Sequence, residues 1–119
     1  MSVWILEESS FFASKFRRYQ KKHPNETIAV MNNLDTYVRT IESGVKPTLI
    51  QAGFIHREPL GVIAIDQKGA HSSLRQTRLY IYTVEVRNTI FLITIGDKNS
   101  QKRDIEDCRN FVKSLRKES

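Results

Sequence analysis

A single cysteine, Cys108, is all the thiol chemistry available to this chain of 119 residues. An internal disulfide is therefore impossible, and a zinc site built on several thiolates is excluded. Cys108 falls within an apolar helical stripe, where a thiol packs as a small hydrophobe rather than acting as a nucleophile. Proline and glycine are sparse, at three and five residues, and the sequence holds no internal repeat and no low-complexity tract. The longest apolar run, Ile90 to Ile95, is strand-sized and is interrupted by Thr94. A transmembrane helix needs about 20 apolar residues. Neither a signal peptide nor a membrane association is expected, and the expected compartment is the cytoplasm. No histidine stands at i, i+4 from another and no acids have metal-ligand spacing, so no metal and no small-molecule cofactor is expected.

Acidic residues are also outnumbered. Thirteen Asp and Glu against 19 Lys and Arg leave a formal net charge of +6. That balance favours an anionic partner such as nucleic acid, an acidic protein or a membrane surface. With 39% hydrophobic and 27% charged residues, the chain has ordinary globular composition. Its length suits one domain, spanning 1–119, with a single core.

The segment from Ser2 to Leu6 reads as an opening strand, and Glu7 to Ser10 supplies groups suited to a helix N-terminus. A helix is expected from there to about Lys22, with Phe12, Phe16 and Tyr19 on one side and Lys15, Arg17, Arg18, Lys21 and Lys22 making the rest basic. His23-Pro24 ends it, because the residue before proline avoids helical dihedrals. Asn25 can cap a second helix, in which Ile28, Met31, Leu34, Val38 and Ile41 form a stripe of 3.6-residue period. Gly44 is its expected C-terminal stop. So short a turn predicts an N-terminal helical hairpin.

Val45 to Pro59 is irregular, and Gly61 to Ile65 has strand character. Gln67 to Ser73 reads as a loop. Leu74 to Gly96 is the most telling stretch, two strands joined by a short polar turn. Period-2 alternation puts Arg78, Tyr80 and Tyr82 on one face and Leu79, Ile81 and Thr83 on the other. Ile105, Cys108, Phe111, Val112 and Leu115 then mark a terminal amphipathic helix starting near Ser100. The order β-α-α-β-β-β-α predicts an α+β fold: the N-terminal helical hairpin and C-terminal helix cover one face of an antiparallel sheet. Leu79, Ile81, Phe91 and Ile93 are expected to pack there against Ile28, Met31, Leu34, Val38 and the Ile105–Leu115 stripe.

The opposite face would present a guanidinium and two phenols, groups that bind phosphate, stack on bases and exchange protons. Three clusters converge on it. They are Arg75, Arg78, Tyr80 and Tyr82; the loop Lys68-Gly69-Ala70-His71; and Gly96-Asp97-Lys98-Asn99 with Gln101 and Lys102. A helix N-terminus beside Lys98 is an anion site by itself. Metal-free RNA cleavage needs a base for the 2′-OH, cations for the phosphoryl oxygens and an acid for the departing 5′-oxygen. Arg78, Tyr80, Tyr82, Lys98 and His71 are the catalytic candidates. Arg75, Lys68 and Lys102, with Arg17, Arg18 and Lys21 of the basic helix, are the candidates for holding RNA. His56, His23 and Asp66 read as structural.

A helical pair, a Gly-flanked strand, Arg-Leu-Tyr-Ile-Tyr, a turn, then Ile-Phe-Leu-Ile-Thr-Ile-Gly and a lysine-bearing segment resemble the RelE/ParE superfamily of bacterial toxins. Gly96-Asp97-Lys98-Asn99-Ser100-Gln101 leading into a helix resembles its HigB-like, phage-derived branch. The likeness covers nearly the whole chain in element order and is sequence-specific mainly over Leu74 to Ile105. It implies a RelE-like fold and the toxin of a type II toxin–antitoxin pair. The implied activity is ribosome-dependent mRNA endonuclease, and the implied partners are a cognate antitoxin protein and mRNA on the ribosome. The family's strand arginine falls on Arg78 and its basic residue after the last strand on Lys98. The Gly61–Ile65 strand lacks the lysines or arginines that such nucleases usually carry. The alternative is a non-catalytic toxin or binding module on the same scaffold, akin to gyrase inhibitors or to a degenerate antitoxin-binding relative.

Overall fold

The structure is a computed structural model that describes residues 3–68 and 73–118. Five strands, Ile5–Glu8 (β1), Ile55–Arg57 (β2), Ile63–Asp66 (β3), Thr77–Val84 (β4) and Thr89–Asp97 (β5), form one sheet in the order β1-β5-β4-β3-β2. Three helices, Phe12–Lys22 (α1), Pro24–Glu42 (α2) and Gln101–Glu118 (α3), complete an α+β fold. The sheet is mixed, not purely antiparallel: β1 runs parallel to β5, and the other three pairings are antiparallel. Parallel pairing needs a long crossover, and everything from α1 to β4 supplies it.

The helices do not share one face of the sheet. Val30, Leu34, Tyr37 and Ile41 of α2 and Phe12 of α1 pack with Leu79, Ile81, Ile90, Leu92 and Ile95. Cys108 and Val112 of α3 pack with Val62, Ala64, Tyr80 and Ile93 on the other side. The expectation that all helices cover one face is therefore corrected. A β-bulge explains part of the error. Tyr80 pairs with Thr94 but Ile81 pairs with Leu92, so the register jumps across Ile93. The extra residue reverses the alternation of β5 from that point. Phe91 and Ile93 consequently leave the Leu79 face and join Tyr80, and the Phe91 ring lies 5.5 Å from that of Phe111.

The stripe of α2 is also displaced. Ile28 is 58% exposed, whereas Thr27, Val30, Leu34, Tyr37 and Ile41 are buried. Both sets have helical spacing. Thr27 and Tyr37 can be buried because Thr27 Oγ1 donates to the His23 carbonyl at 2.9 Å and the Tyr37 hydroxyl lies 2.9 Å from Thr83 Oγ1. Other boundaries move slightly. Glu7 and Glu8 lie in β1, and α1 starts at Phe12 without a side-chain cap. Proline opens α2 with His23, not Asn25, at its cap. Gly44 follows α2 at φ +109°, the conformation that favours glycine.

β1 pairs only with Thr89–Leu92 of β5. Ser9 extends the contact, its Oγ donating to the Ile93 carbonyl at 2.7 Å, before the chain turns into α1. The rest of β5 has no strand on that side. At this notch α1 and α3 meet across the sheet edge, and Lys15 pairs with the fully buried Asp104. Ser100 Oγ donates to the other Asp104 oxygen at 2.7 Å. A Cβ at Gly96 would fall 2.0 Å from that same oxygen, so the position admits no side chain.

Candidate functional site

Strand pairing sets out the residues on the α3 face. His56 pairs across to Ala64, Ala64 to Tyr80, and Tyr80 to Thr94. In the next row Asp66 faces Arg78, and Arg78 faces Gly96. α3 crosses the Tyr80 end of this array. Beside it stand two side-chain pairs: His56 Nε2 lies 2.5 Å from Asp66 Oδ2, and an Arg78 terminal nitrogen lies 3.6 Å from Glu58 Oε2. The His56 side chain is 36% exposed and that of Arg78 18%, so both touch solvent without being free in it. Asp66 also accepts the Lys68 backbone N–H at 2.7 Å through its other oxygen. That bond fixes the carboxylate, and the carboxylate fixes the imidazole.

In the sequence His56, between Phe54 and Pro59, reads as structural. Its partner lies ten positions on, across a tight turn where Leu60 and Gly61 adopt φ of 64° and 83°. Only β2, a three-residue strand that sequence pattern does not reveal, brings the two together. Glu58 was missed for the same reason.

The other expected site residues scatter. Tyr80 is 1% exposed, and its hydroxyl has no hydrogen-bond partner among the described residues. Burial, and then the negative charge of Asp104, push its phenol well above the usual tyrosine range. In this conformation it is a covered neutral phenol and not an accessible base. The expectation of an open aromatic face is thus corrected for Tyr80. Tyr82 sits toward the far end of α3, lining a cavity of about 180 Å³ with Val84, Val86 and Leu115. Lys98 is exposed in a single 3-10 turn that precedes α3. The open anion site expected beside it is filled internally, because Asp97 Oδ1 accepts from the N–H groups of Asn99 and Ser100 at 2.9 and 3.2 Å. Arg75 pairs with Asp97 at 3.5 Å, and its N–H donates to Glu26 at 2.9 Å. The latter bond is the main reason that the Glu26 carboxyl lies below its usual range. Lys68, Lys102, Arg17 and Lys21 are exposed. His71 lies outside the described residues, as do Gly69 and Ala70.

Arg18 is placed differently. It lines a notch of about 300 Å³ at the free edge of β5, with Lys15, Tyr19, Lys22 and His23 on one wall and Ile95 to Asp97 and Ser100 on the other. Among the described residues no three His, Cys, Asp or Glu side chains gather as a metal site would require, and no helix is long and apolar enough to cross a membrane. No protein-family profile, curated protein or solved structure matches the chain.

Proposed function

We propose that the protein is a metal-independent endoribonuclease with a RelE-like fold, acting as the toxin of a toxin–antitoxin pair on mRNA at the ribosome, in the cytoplasm. The reaction rests on one observation: a carboxylate-held imidazole, His56–Asp66, and a guanidinium–carboxylate pair, Arg78–Glu58, share one sheet face, with His56 and Arg78 two strands apart. That separation is about 10 Å at ordinary strand spacing. The toxin role rests on the resemblance of the Leu74–Ile105 stretch and on the element order.

The residues divide the work as follows. Glu58 accepts the proton of a ribose 2′-OH as the 2′-oxygen bonds to phosphorus. Arg78 neutralises the charge that builds on the non-bridging oxygens. The bond from phosphorus to the 5′-oxygen breaks, and protonated His56, held by Asp66, gives that oxygen its proton. The products are a 2′,3′-cyclic phosphate and a free 5′-OH. Lys98 and Arg75 stand at the same end of the sheet and add positive field.

The second reading is a non-catalytic toxin or antitoxin-binding relative. It is favoured by the burial of Tyr80 and by the engagement of Arg78 with Glu58. Cleavage of mRNA on translating ribosomes separates the two. Arg78→Ala should lose turnover far more than affinity, by a hundredfold or more, about 3–4 kcal/mol of barrier. Arg78→Lys should also be poor, because an ammonium cannot reproduce the planar two-pronged contact with phosphate. His56→Ala should fall comparably. Equal cleavage by wild type and Arg78→Ala at matched folded concentration would remove Arg78 from the mechanism. No cleavage by the wild type would favour the binding reading.

A further inference from the structure

The stripe of α1 formed by Lys15, Arg18, Tyr19 and Lys22 has the spacing i, i+3, i+4, i+7, which ordinarily carries the apolar contacts of a helix. Here it is three cations and a phenol, and it faces the notch at the free edge of β5. Lys15 is committed to Asp104. Arg18 and Lys22 are exposed at the mouth and make no ion pair among the described residues. The acid of the opposite wall, Asp97, is already occupied by Arg75 and by two backbone N–H groups. The notch therefore holds unspent positive charge.

It also holds two aromatic rings whose planes are tilted 48° to one another, so that each offers its own face. The rings of Tyr19 and His23 lie 4.7 Å apart, and the Tyr19 hydroxyl is anchored 2.5 Å from Thr77 Oγ1. That contact fixes one ring while His23 remains partly exposed at the rim. Cations for a phosphate beside an aromatic platform for a base are the two parts of a single-strand nucleic-acid subsite. An acidic peptide would use the cations but not the rings.

We propose that this notch binds one nucleotide of a single-stranded RNA, with its phosphate between Arg18 and Lys22 and its base against His23. This goes beyond the cleavage reading and does not need it. Gly96 both lines the notch and faces Arg78 across the sheet, so a bound strand would run from the notch toward the same end of the sheet.

The test is fluorescence anisotropy with a short 2′-O-methyl oligoribonucleotide, which cannot be cleaved through its 2′-oxygen. Failure here thus leaves the cleavage reading to its own assay. Arg18→Ala/Lys22→Ala should weaken binding roughly tenfold and lower the slope of log K against log salt by about 0.7, the value for one phosphate contact on a single strand. His23→Ala should weaken it by about fivefold while leaving the salt slope unchanged. The charge-matched pair Arg109→Ala/Lys113→Ala, on α3, should retain nearly full affinity. Equal loss in both double variants would overturn the proposal, since net charge alone would then explain binding. Inorganic phosphate or a mononucleotide binding as tightly as the oligomer would overturn it too, as would poly-glutamate displacing the oligomer as well as unlabelled RNA does.

Discussion

Under α1 and α2 the large buried hydroxyl, that of Tyr37, lies 2.9 Å from Thr83 Oγ1, and the remaining core there is aliphatic or phenylalanine. Under α3 the hydroxyls of Tyr80 and Thr94 and the Arg78 Nε are buried with no hydrogen-bond partner among the described residues. Strand pairing makes these three near neighbours, since Tyr80 sits across from Thr94 and two residues from Arg78. Buried polar groups left unpaired cost stability, and folded chains keep few of them. The α1/α2 face is thus organised by burial, with the hydroxyls it buries on Thr27 and Tyr37 paired. The α3 face keeps polar groups that packing does not explain, next to the His56 and Arg78 pairs. Departure from local consistency is expected where a chain serves chemistry rather than folding.

The contrast has measurable consequences. Asp104→Ala strips the fully buried carboxylate that joins α3 to Lys15 and Ser100, leaving an ammonium without its counter-charge. The expected loss is about 3–5 kcal/mol in chemical denaturation. A loss below about 1 kcal/mol would show that the α3 edge is not held by this pair. Leu79→Ala, wholly on the α1/α2 face, should cost about 3 kcal/mol through lost burial and the cavity left behind. Its effect should appear as a lower midpoint with an unchanged denaturant slope. If Asp104→Ala instead lowers the slope while Leu79→Ala does not, α3 detaches separately and the two faces differ in cooperativity as well as chemistry.

Much of this architecture was legible in residues, and the limits of legibility are physical. β4 and β5 announced themselves through alternation, and the α3 stripe through helical period. Helical period says which side of α3 is apolar but nothing of which sheet face receives it. The bulge at Ile93 was equally silent, since no glycine or proline marks it, yet it moved Phe91 and Ile93 across the sheet. The true α2 stripe was obscured because Thr27 and Tyr37 look polar until their hydroxyls find partners. Arg78 was singled out correctly as lying opposite Leu79, but its pairing with Glu58 depends on β2, whose three residues carry no detectable period. Pairings ten or twenty residues apart belong to tertiary structure, and the candidate site is made almost wholly of them.

The smallest effects give the cleanest comparison, because two tyrosines differ in one bond. Tyr37→Phe deletes a satisfied hydroxyl and should cost about 1 kcal/mol. Tyr80→Phe deletes an orphaned one and should raise stability by about the same amount. pH sharpens the pair. Burial holds both folded phenols above their ordinary value of 10.0, opposed at Tyr37 by the Thr83 hydrogen bond and reinforced at Tyr80 by the Asp104 charge. Each neutral phenol therefore contributes its full stability below pH 10. That contribution is lost as pH rises toward the folded value, because the unfolded chain releases its proton first. The advantage of Tyr80→Phe over wild type should accordingly widen above pH 10 in urea titrations. Should Tyr80→Phe destabilise the protein at neutral pH, the hydroxyl has a partner, and the polar face under α3 is as well settled as the apolar one.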